Sequence, residues 1–261
     1  MNNTEKIRIN KFISHNSKYS RREADEIIKA RRVKVGQKVI DDLSYCIEEN
    51  DKVYIDGVFI KPKKSEMTVI VYNKQKGELV TKKDPMGRKT IYDSLPSGFS
   101  HFVPIGRLDF ASEGLILLTD SPEIASILMH GSLERIYKVK IKGNVSHQIT
   151  EAMGNGIEIL NSKKGAHKES KIENMTFAPF SKYTVLKDAP TFSKLKISIC
   201  EGLNREIRRF FAHFDREVVD LKRLEYGGIS LNNLPSGKWK YLSKKEYKDL
   251  HFYLKELKQA Q

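Results

Sequence analysis

The feature that most constrains this chain is the short break Lys61-Pro62-Lys63-Lys64-Ser65, polar throughout and carrying a proline, because the hydrophobic pattern differs in kind on its two sides. Such a segment reads as a linker. Two domains are therefore expected, residues 1–62 and residues 63–261. The length of 261 residues and the 39% hydrophobic content suffice for a small domain and one of ordinary size, each with its own core.

In the first part, Ser20-Arg21-Arg22-Glu23 has the capping-box pattern, with Ser20 as N-cap and Glu23 reaching back. Ala24, Ile27 and Ile28 then share one helical face, so a helix is expected to about Ala30. Ile9, Phe12 and Ile13 repeat at helical spacing and predict a first short helix packed on the second. Val33 and Val35 alternate before a turn at Gly36, and Val53 and Ile55 lead into Asp56-Gly57, a strong hairpin signal, with Val58 and Ile60 leaving it. Two helices followed by a small hairpin-rich sheet are the expectation.

Charge narrows the partners. Lysine and arginine number 47 against 33 acids, a net charge of +14 that favours polyanions. Residues 18 to 38 carry eight of these cations and three acids, whereas Asp41, Asp42, Glu48, Glu49, Asp51 and Asp56 cluster between 41 and 56. Lys18, Arg21, Arg22, Lys29, Arg31 and Arg32 could follow a phosphate backbone, releasing counterions and making binding salt-dependent. By itself such a run also suits a solvated helix face. Cys46 and Cys200, far apart and each beside apolar residues, read as two buried thiols in a reducing compartment. No secretory signal pattern opens the sequence, and no apolar run reaches the roughly 18 residues a membrane span requires. A cytoplasmic protein without membrane partners is expected.

Arg8-Ile9-Asn10-Lys11-Phe12-Ile13, Ser20-Arg21-Arg22-Glu23-Ala24, Arg32-Val33-Lys34-Val35, Asp51-Lys52-Val53 and Asp56-Gly57 together resemble an S4 RNA-binding domain across nearly all of residues 6 to 60. The resemblance implies a compact αα-β module that grips RNA.

Beyond the linker the pattern mixes strands and helices. Val69 and Val71 begin a strand, Leu115 to Leu118 suit a buried one, and Ser121-Pro122-Glu123 starts a helix with proline at its first position. Tyr137, Val139 and Ile141 alternate, as do Leu195, Ile197 and Ile199, each predicting a strand. Asn161 to Lys171, rich in lysine, glycine and polar residues, reads as an exposed loop. Lys238 to Lys258 holds seven lysines and three acids with tyrosines and leucines interleaved, and predicts a basic C-terminal tail that ends in an amphipathic helix, packed on the surface with a wet lysine face. An α+β fold is expected overall.

The chemistry concentrates in two runs. Gly106-Arg107-Leu108-Asp109 lies on a turn between strands, which presents Asp109 at a sheet's end, although an aspartate in a loop is more often a turn former. In Glu201-Gly202-Leu203-Asn204-Arg205-Glu206-Ile207-Arg208-Arg209-Phe210, the residues Ile207, Phe210, Phe211 and Phe214 build one apolar helical face, with Arg205, Arg208 and Arg209 turned to its edges. An arginine within about 4 to 6 Å of an aspartate favours its charged form, which a nucleophile or base requires.

The stretch Pro104 to Asp120 resembles the catalytic motif of the RsuA/RluB family of ribosomal RNA pseudouridine synthases, and the likeness extends over nearly the whole chain. It implies a catalytic domain with a mixed, mainly antiparallel sheet flanked by helices. Asp109 matches the family's essential aspartate and Arg208 its arginine. Tyr137 matches the tyrosine that packs on the target base, and Leu221 the aliphatic residue lining the pocket's other side. Arg107 and Arg205, in the same two runs, are candidate substrate-binding cations. Several positions depart from the family pattern: Gln75 stands where proline is usual, Ser112 replaces threonine but keeps the hydroxyl, Thr119-Asp120-Ser121 departs from Asn-Asp-Gly, and Glu206 replaces glutamine, placing an acid beside RNA.

The implied reaction breaks the uridine C1′–N1 bond, turns the detached uracil and rejoins it through C5, with the base flipped out of its helix into a pocket. It exchanges no electrons and consumes no water. The sequence has no Gly-x-x-x-x-Gly-Lys loop, no Cys-x-x-Cys and no histidines paired at ligand spacing, so neither a metal nor another cofactor is expected. The implied partner is ribosomal RNA, free or in an assembling subunit, with no obligatory protein partner. Tyr226-Gly227-Gly228 and Leu234-Pro235-Ser236-Gly237-Lys238-Trp239 look more like the large-subunit (23S) members than the small-subunit (16S) one. The rival readings are a 16S target or a ribosome-associated RNA-binding factor without catalysis, for which Asp109, Tyr137 and Arg208 together would have no use. A metal-dependent ribonuclease would need clustered acids, and Asp109 has only Glu113 nearby in sequence.

Overall fold

The computed structural model describes residues 7–48, 50–62, 67–160, 163–166, 170, 172 and 174–259. The chain divides into two compact units, Met1–Glu66 and Met67–Gln261. Of the connecting segment, Lys63, Lys64 and Ser65 lie outside the described residues.

The first unit runs β1 (Ile7–Arg8), α1 (Ile9–Asn16), α2 (Arg21–Lys29), β2 (Val33–Val35), β3 (Lys38–Ile40), β4 (Cys46–Ile47), β5 (Val53–Ile55) and β6 (Val58–Phe59). Both halves of the capping box form: the Glu23 amide donates to the Ser20 hydroxyl and the Ser20 amide to the Glu23 carboxylate. The expected turn at Asp56-Gly57 has both residues at positive φ, 50° and 80°, as a two-residue turn matched to strand twist requires. Ile9, Phe12, Ile13, Ala24, Ile27 and Ile28 from the helices meet Val33, Val35, Ile40, Val53 and Ile55 from the sheet in one core.

The second unit contains β7 (Val69–Lys74), β8 (Val103–Ile105), β9 (Glu113–Thr119), α3 (Pro122–His130), β10 (Arg135–Lys142), α4 (His147–Asn155), β11 (Ile157–Ile159), β12 (Met175–Phe177), β13 (Lys182–Lys187), β14 (Phe192–Ile199), α5 (Glu206–His213), β15 (Val218–Tyr226), β16 (Ile229–Ser230), β17 (Trp239–Tyr241) and α6 (Lys244–Gln259). Nine strands form one mixed sheet in the order β13-β14-β10-β15-β9-β7-β17, with β16 on β15 and β8 on β9. Every pairing is antiparallel except β15 with β9. That parallel contact joins the two halves of the sheet through two residue pairs, Lys222 with Glu113 and Arg223 with Gly114.

Each half has its own cover. Tyr137, Val139, Ile141, Leu195, Ile197 and Leu221 pack with residues of α4 and α5, including Ile149, Met153, Ile207, Phe210 and Phe211. In the other half, Val69, Val71, Leu115 and Leu117 pack against Ala125 and Leu128 of α3 and Leu250 and Leu254 of α6, while Ile70, Tyr72, Ile116 and Leu118 meet Ile91, Leu95, Phe99 and Phe102 on the opposite face. β7 and β9 are thus buried on both faces, which explains their unbroken apolar runs. Among the described residues no helix is long and apolar enough to cross a membrane.

One expectation is corrected. Cys46 and Cys200 are exposed: Cys46 takes the outward position of a two-residue strand whose Ile47 points in, and Cys200 follows the end of β14. The C-terminal segment ends in the amphipathic helix its pattern predicts: β17 pairs with β7, and α6 covers the core through Leu250 and Leu254 while Lys244, Lys248 and Lys255 stay exposed. The stretch 161–171 lies partly outside the described residues. Within it, Lys163 and Lys164 are exposed on a turn, while Gly165 sits so close to α5 that a Cβ would lie 2.5 Å from the Arg208 carbonyl oxygen.

Candidate active site

Asp109 stands on the connection between β8 and β9, where the apolar strands stop and a reversal must be made. Gly106, at φ 75°, supplies the left-handed step that opens this connection. The loop is held from below by Lys74, the last residue of β7. Its ammonium is fully buried and donates to three carbonyls, those of Gln75 at 2.9 Å, Asp109 at 3.1 Å and Ser112 at 2.7 Å. The Ser112 amide closes the loop by donating to the Asp109 carbonyl at 3.0 Å. Burial pulls the Lys74 ammonium down to about 8, opposed by the carboxylates of Glu78, Asp109 and Glu113, so it still carries its third proton at neutral pH.

Two guanidiniums converge on the Asp109 side chain. Arg205 Nη1 lies 3.1 Å from Oδ2 and Arg208 Nε 3.4 Å from the same oxygen. The expected approach of Arg208 is present, and Arg205, expected as a substrate contact, lies nearer still. Arg208 is fixed from behind by donating to the Val218 carbonyl at 2.9 Å and the Ser112 hydroxyl at 3.1 Å. Burial lowers its affinity for the proton and Asp109 raises it; the guanidinium stays charged across the range in which proteins fold. Arg205 precedes α5 in the left-handed region, at φ 52°, a costly conformation for a side chain with a Cβ. It donates from Nε to the Gly165 carbonyl at 2.7 Å, leaving its outer nitrogen for Asp109.

The two helix arginines are buried. Arg208 is 9% and Arg209 1% exposed, because the turn at 163–166 and the Asp109 loop close over them. Glu206 turns its carboxylate inward: it is 5% exposed and accepts the Leu203 amide at 3.1 Å. Burial pushes its carboxyl up to about 7, with Glu201 adding to the effect.

Tyr137 and Leu221 are buried in the cluster that Leu108, the neighbour of Asp109, also joins. Across the sheet, Tyr137 pairs with Arg223, Arg223 with Gly114 and Gly114 with Lys74, so one row links the tyrosine to the base of the Asp109 loop. Arg107 is exposed, and no ion pair among the described residues includes it. Lys74 was not singled out from the sequence. Its only signal is a lysine ending a strand with no exposed position. Among the described residues no three His, Cys, Asp or Glu side chains converge to hold a metal ion.

Residues 68–213 match the RNA pseudouridylate synthase family and residues 7–63 match the S4 domain. The chain belongs to the RNA pseudouridine synthase family. The enzyme is 47% identical over 249 residues to an uncharacterized RNA pseudouridine synthase of Helicobacter pylori, covering 95% of each chain. It is 32% identical over 245 residues to ribosomal large subunit pseudouridine synthase B of Bacillus subtilis, covering 93% of this chain and 95% of that one. A crystal structure of a pseudouridylate synthase superposes on 94% of the enzyme and 99% of itself, with a TM-score of 0.63 and 25% identity. Enzymes of this family isomerise uridine to pseudouridine, and the S4 module identifies RNA as what this one handles.

Proposed function

We propose that the enzyme isomerises a specific uridine of large-subunit (23S) ribosomal RNA in the cytoplasm, with Asp109 as its catalytic carboxylate and no obligatory protein partner. The observation that carries this reading is the convergence of Arg205 and Arg208 on one oxygen of Asp109, at 3.1 and 3.4 Å, on a loop clamped by Lys74. Two fixed cations favour the carboxylate form and hold it in one orientation before substrate arrives. The large-subunit target follows the name of the Bacillus subtilis relative, with its near full-length match.

In this reading residues 1–62 anchor the RNA and residues 63–261 carry the chemistry. Lys18, Arg21 and Arg22 are exposed and engage no carboxylate among the described residues, so they contact phosphates. Lys29 lies 3.2 Å from Glu26, Arg31 3.7 Å from Asp41, and Arg32 forms a two-pronged pair with Asp56 across the hairpin turn. Those three contribute less. The flipped uracil stacks between Tyr137 and Leu221, and Arg107 meets the phosphates flanking it.

Asp109 acts as nucleophile or base at the sugar while the C1′–N1 bond breaks. The uracil turns, C5 bonds to C1′, the proton on C5 passes to solvent and N1 regains one, so atoms and electrons balance without a co-reactant. Ribosomal RNA tritiated at uridine C5 tests this. The full chain should release tritium, and Asp109→Asn should release none while folding normally. Release that survives the substitution would remove Asp109 from the chemistry, and primer extension after carbodiimide treatment would name the uridine.

A further inference from the structure

The face of the sheet turned away from α4 and α5 carries lysines in register. β10 alternates the core residues Tyr137, Val139 and Ile141 with Lys138 and Lys140, and β14 alternates Leu195 and Ile197 with Lys194 and Lys196. The pairing stacks them. Lys196 stands opposite Lys138, and Lys138 opposite Lys222 of β15; one row on, Lys194 stands opposite Lys140. Directly opposed side chains on neighbouring strands have Cβ atoms about 5 Å apart, and like charges there destabilise a sheet. Among the described residues no carboxylate comes within ion-pairing distance of these five lysines, and Asp220, the acid across from Lys140, is bound by Lys76. Lys138, Lys194 and Lys196 are exposed, and the Lys140 ammonium lies over the Phe192 ring, 4.3 Å from its centroid.

The patch leads to the active site. The second row continues from Lys140 to Asp220, and Asp220 is bound by Lys76. Lys76 belongs to the loop whose next amide, that of Gly77, donates at 2.8 Å to the carbonyl of Phe110, the residue after Asp109. We propose that this lysine-bearing sheet face is a second RNA-binding surface, which holds the sugar-phosphate backbone of RNA flanking the target uridine. A row of flexible point charges suits phosphates, which position RNA without reading its sequence. Continuity with the Asp109 loop favours RNA over an acidic protein, because the substrate strand must pass there. The inference rests on the enzyme acting on RNA, not on the role of Asp109 or the identity of the target.

The test uses the full chain and a fluorescein-labelled RNA hairpin, titrated by anisotropy at several KCl concentrations. The triple variant Lys138→Gln, Lys194→Gln and Lys196→Gln should bind about tenfold more weakly or worse. Its log Kd against log salt should flatten by about two, since each lost phosphate contact removes roughly 0.7 to 0.9 of slope. Replacing the same three lysines by arginine should keep the slope, which separates charge loss from misfolding. Removing three exposed lysines of α6, with Lys244→Gln, Lys248→Gln and Lys255→Gln, should change it by less than one. A wild-type slope in the first variant, or equal flattening in both glutamine variants, overturns the proposal. A wild-type chain that binds in this manner yet releases no tritium from ribosomal RNA would instead count against the proposed reaction alone.

Discussion

Glu206 shows how a single side chain ties the active-site helix to pH. It opens α5, two residues before Arg208, and its carboxyl is buried with its affinity for the proton raised from 4.5 to about 7. A folded-state value above the unfolded one means that the native state holds the proton more tightly. The stabilisation is therefore complete below about 4.5 and is lost as pH rises through about 7. Glu206→Gln keeps an acceptor for the Leu203 amide and removes the ionisation. Thermal melts of the two proteins should nearly coincide at pH 5. By pH 8 the variant should be the more stable, by a few kcal/mol on the usual scale of about 1.4 kcal/mol per pK unit. A difference between variant and parent that does not change between those pH values would show that Glu206 is not protonated in the native state. The sequence offered only an acid where a glutamine is usual. The inward turn of Glu206 brings it to the Leu203 amide and within the field of Glu201 and of Arg135, which stands on a strand about 70 residues away, a proximity that no local pattern encodes.

At the level of elements, the narrow seam that joins the two halves of the sheet runs beside the loop that bears Asp109. β15 and β9 touch through two residue pairs, next to the loop that bears Asp109, and Gly114 is where the two backbones crowd. A Cβ on Gly114 would lie 2.2 Å from the Arg223 carbonyl oxygen and 2.7 Å from its amide nitrogen, and the glycine sits at φ 106°. No side-chain adjustment relieves a clash with backbone. Gly114→Ala should cost about 3 kcal/mol or more through strain and strand displacement, lowering the melting temperature by roughly 6 to 12 °C for a unit of this size. Tritium release should fall with it, because the seam anchors the start of β9. A melting temperature within about 1 °C of the parent would mean that the strands are free to separate there. Elements with a strong local period were legible in the sequence: the capping box before α2, the turn at Asp56-Gly57, and the alternation in β10 and β14. The parallel seam was not, because it joins residues more than 100 positions apart. The clamp by Lys74 was hidden for the same reason, since its acceptors at Asp109 and Ser112 lie on another strand connection.

Over the whole molecule the net charge of +14 is divided between structural and free cations, and the structure sorts them. Arg32 is spent on Asp56, Arg208 and Arg205 on Asp109, and Arg135 donates to the Cys200 and Leu133 carbonyls. Composition alone pointed to a polyanion but could not make this division, which depends on where carboxylates and carbonyls arrive in three dimensions. Arg21 and Arg22 remain exposed on the first turn of α2. If the first unit anchors RNA while the second performs the chemistry, replacing both with alanine should raise KM for ribosomal RNA by about tenfold near 0.15 M salt and flatten its salt dependence by about one and a half. The kcat at saturating RNA should be unchanged, because neither arginine belongs to the Asp109 site and the loss is of uniform binding. Arg32→Ala, which removes a cation already bound to a carboxylate, should flatten the salt dependence much less. Equal effects of the two changes on the salt slope would mean that the first unit contributes only diffuse charge, and a fall in kcat in the double variant would mean that anchoring and catalysis are not separable functions of the two units.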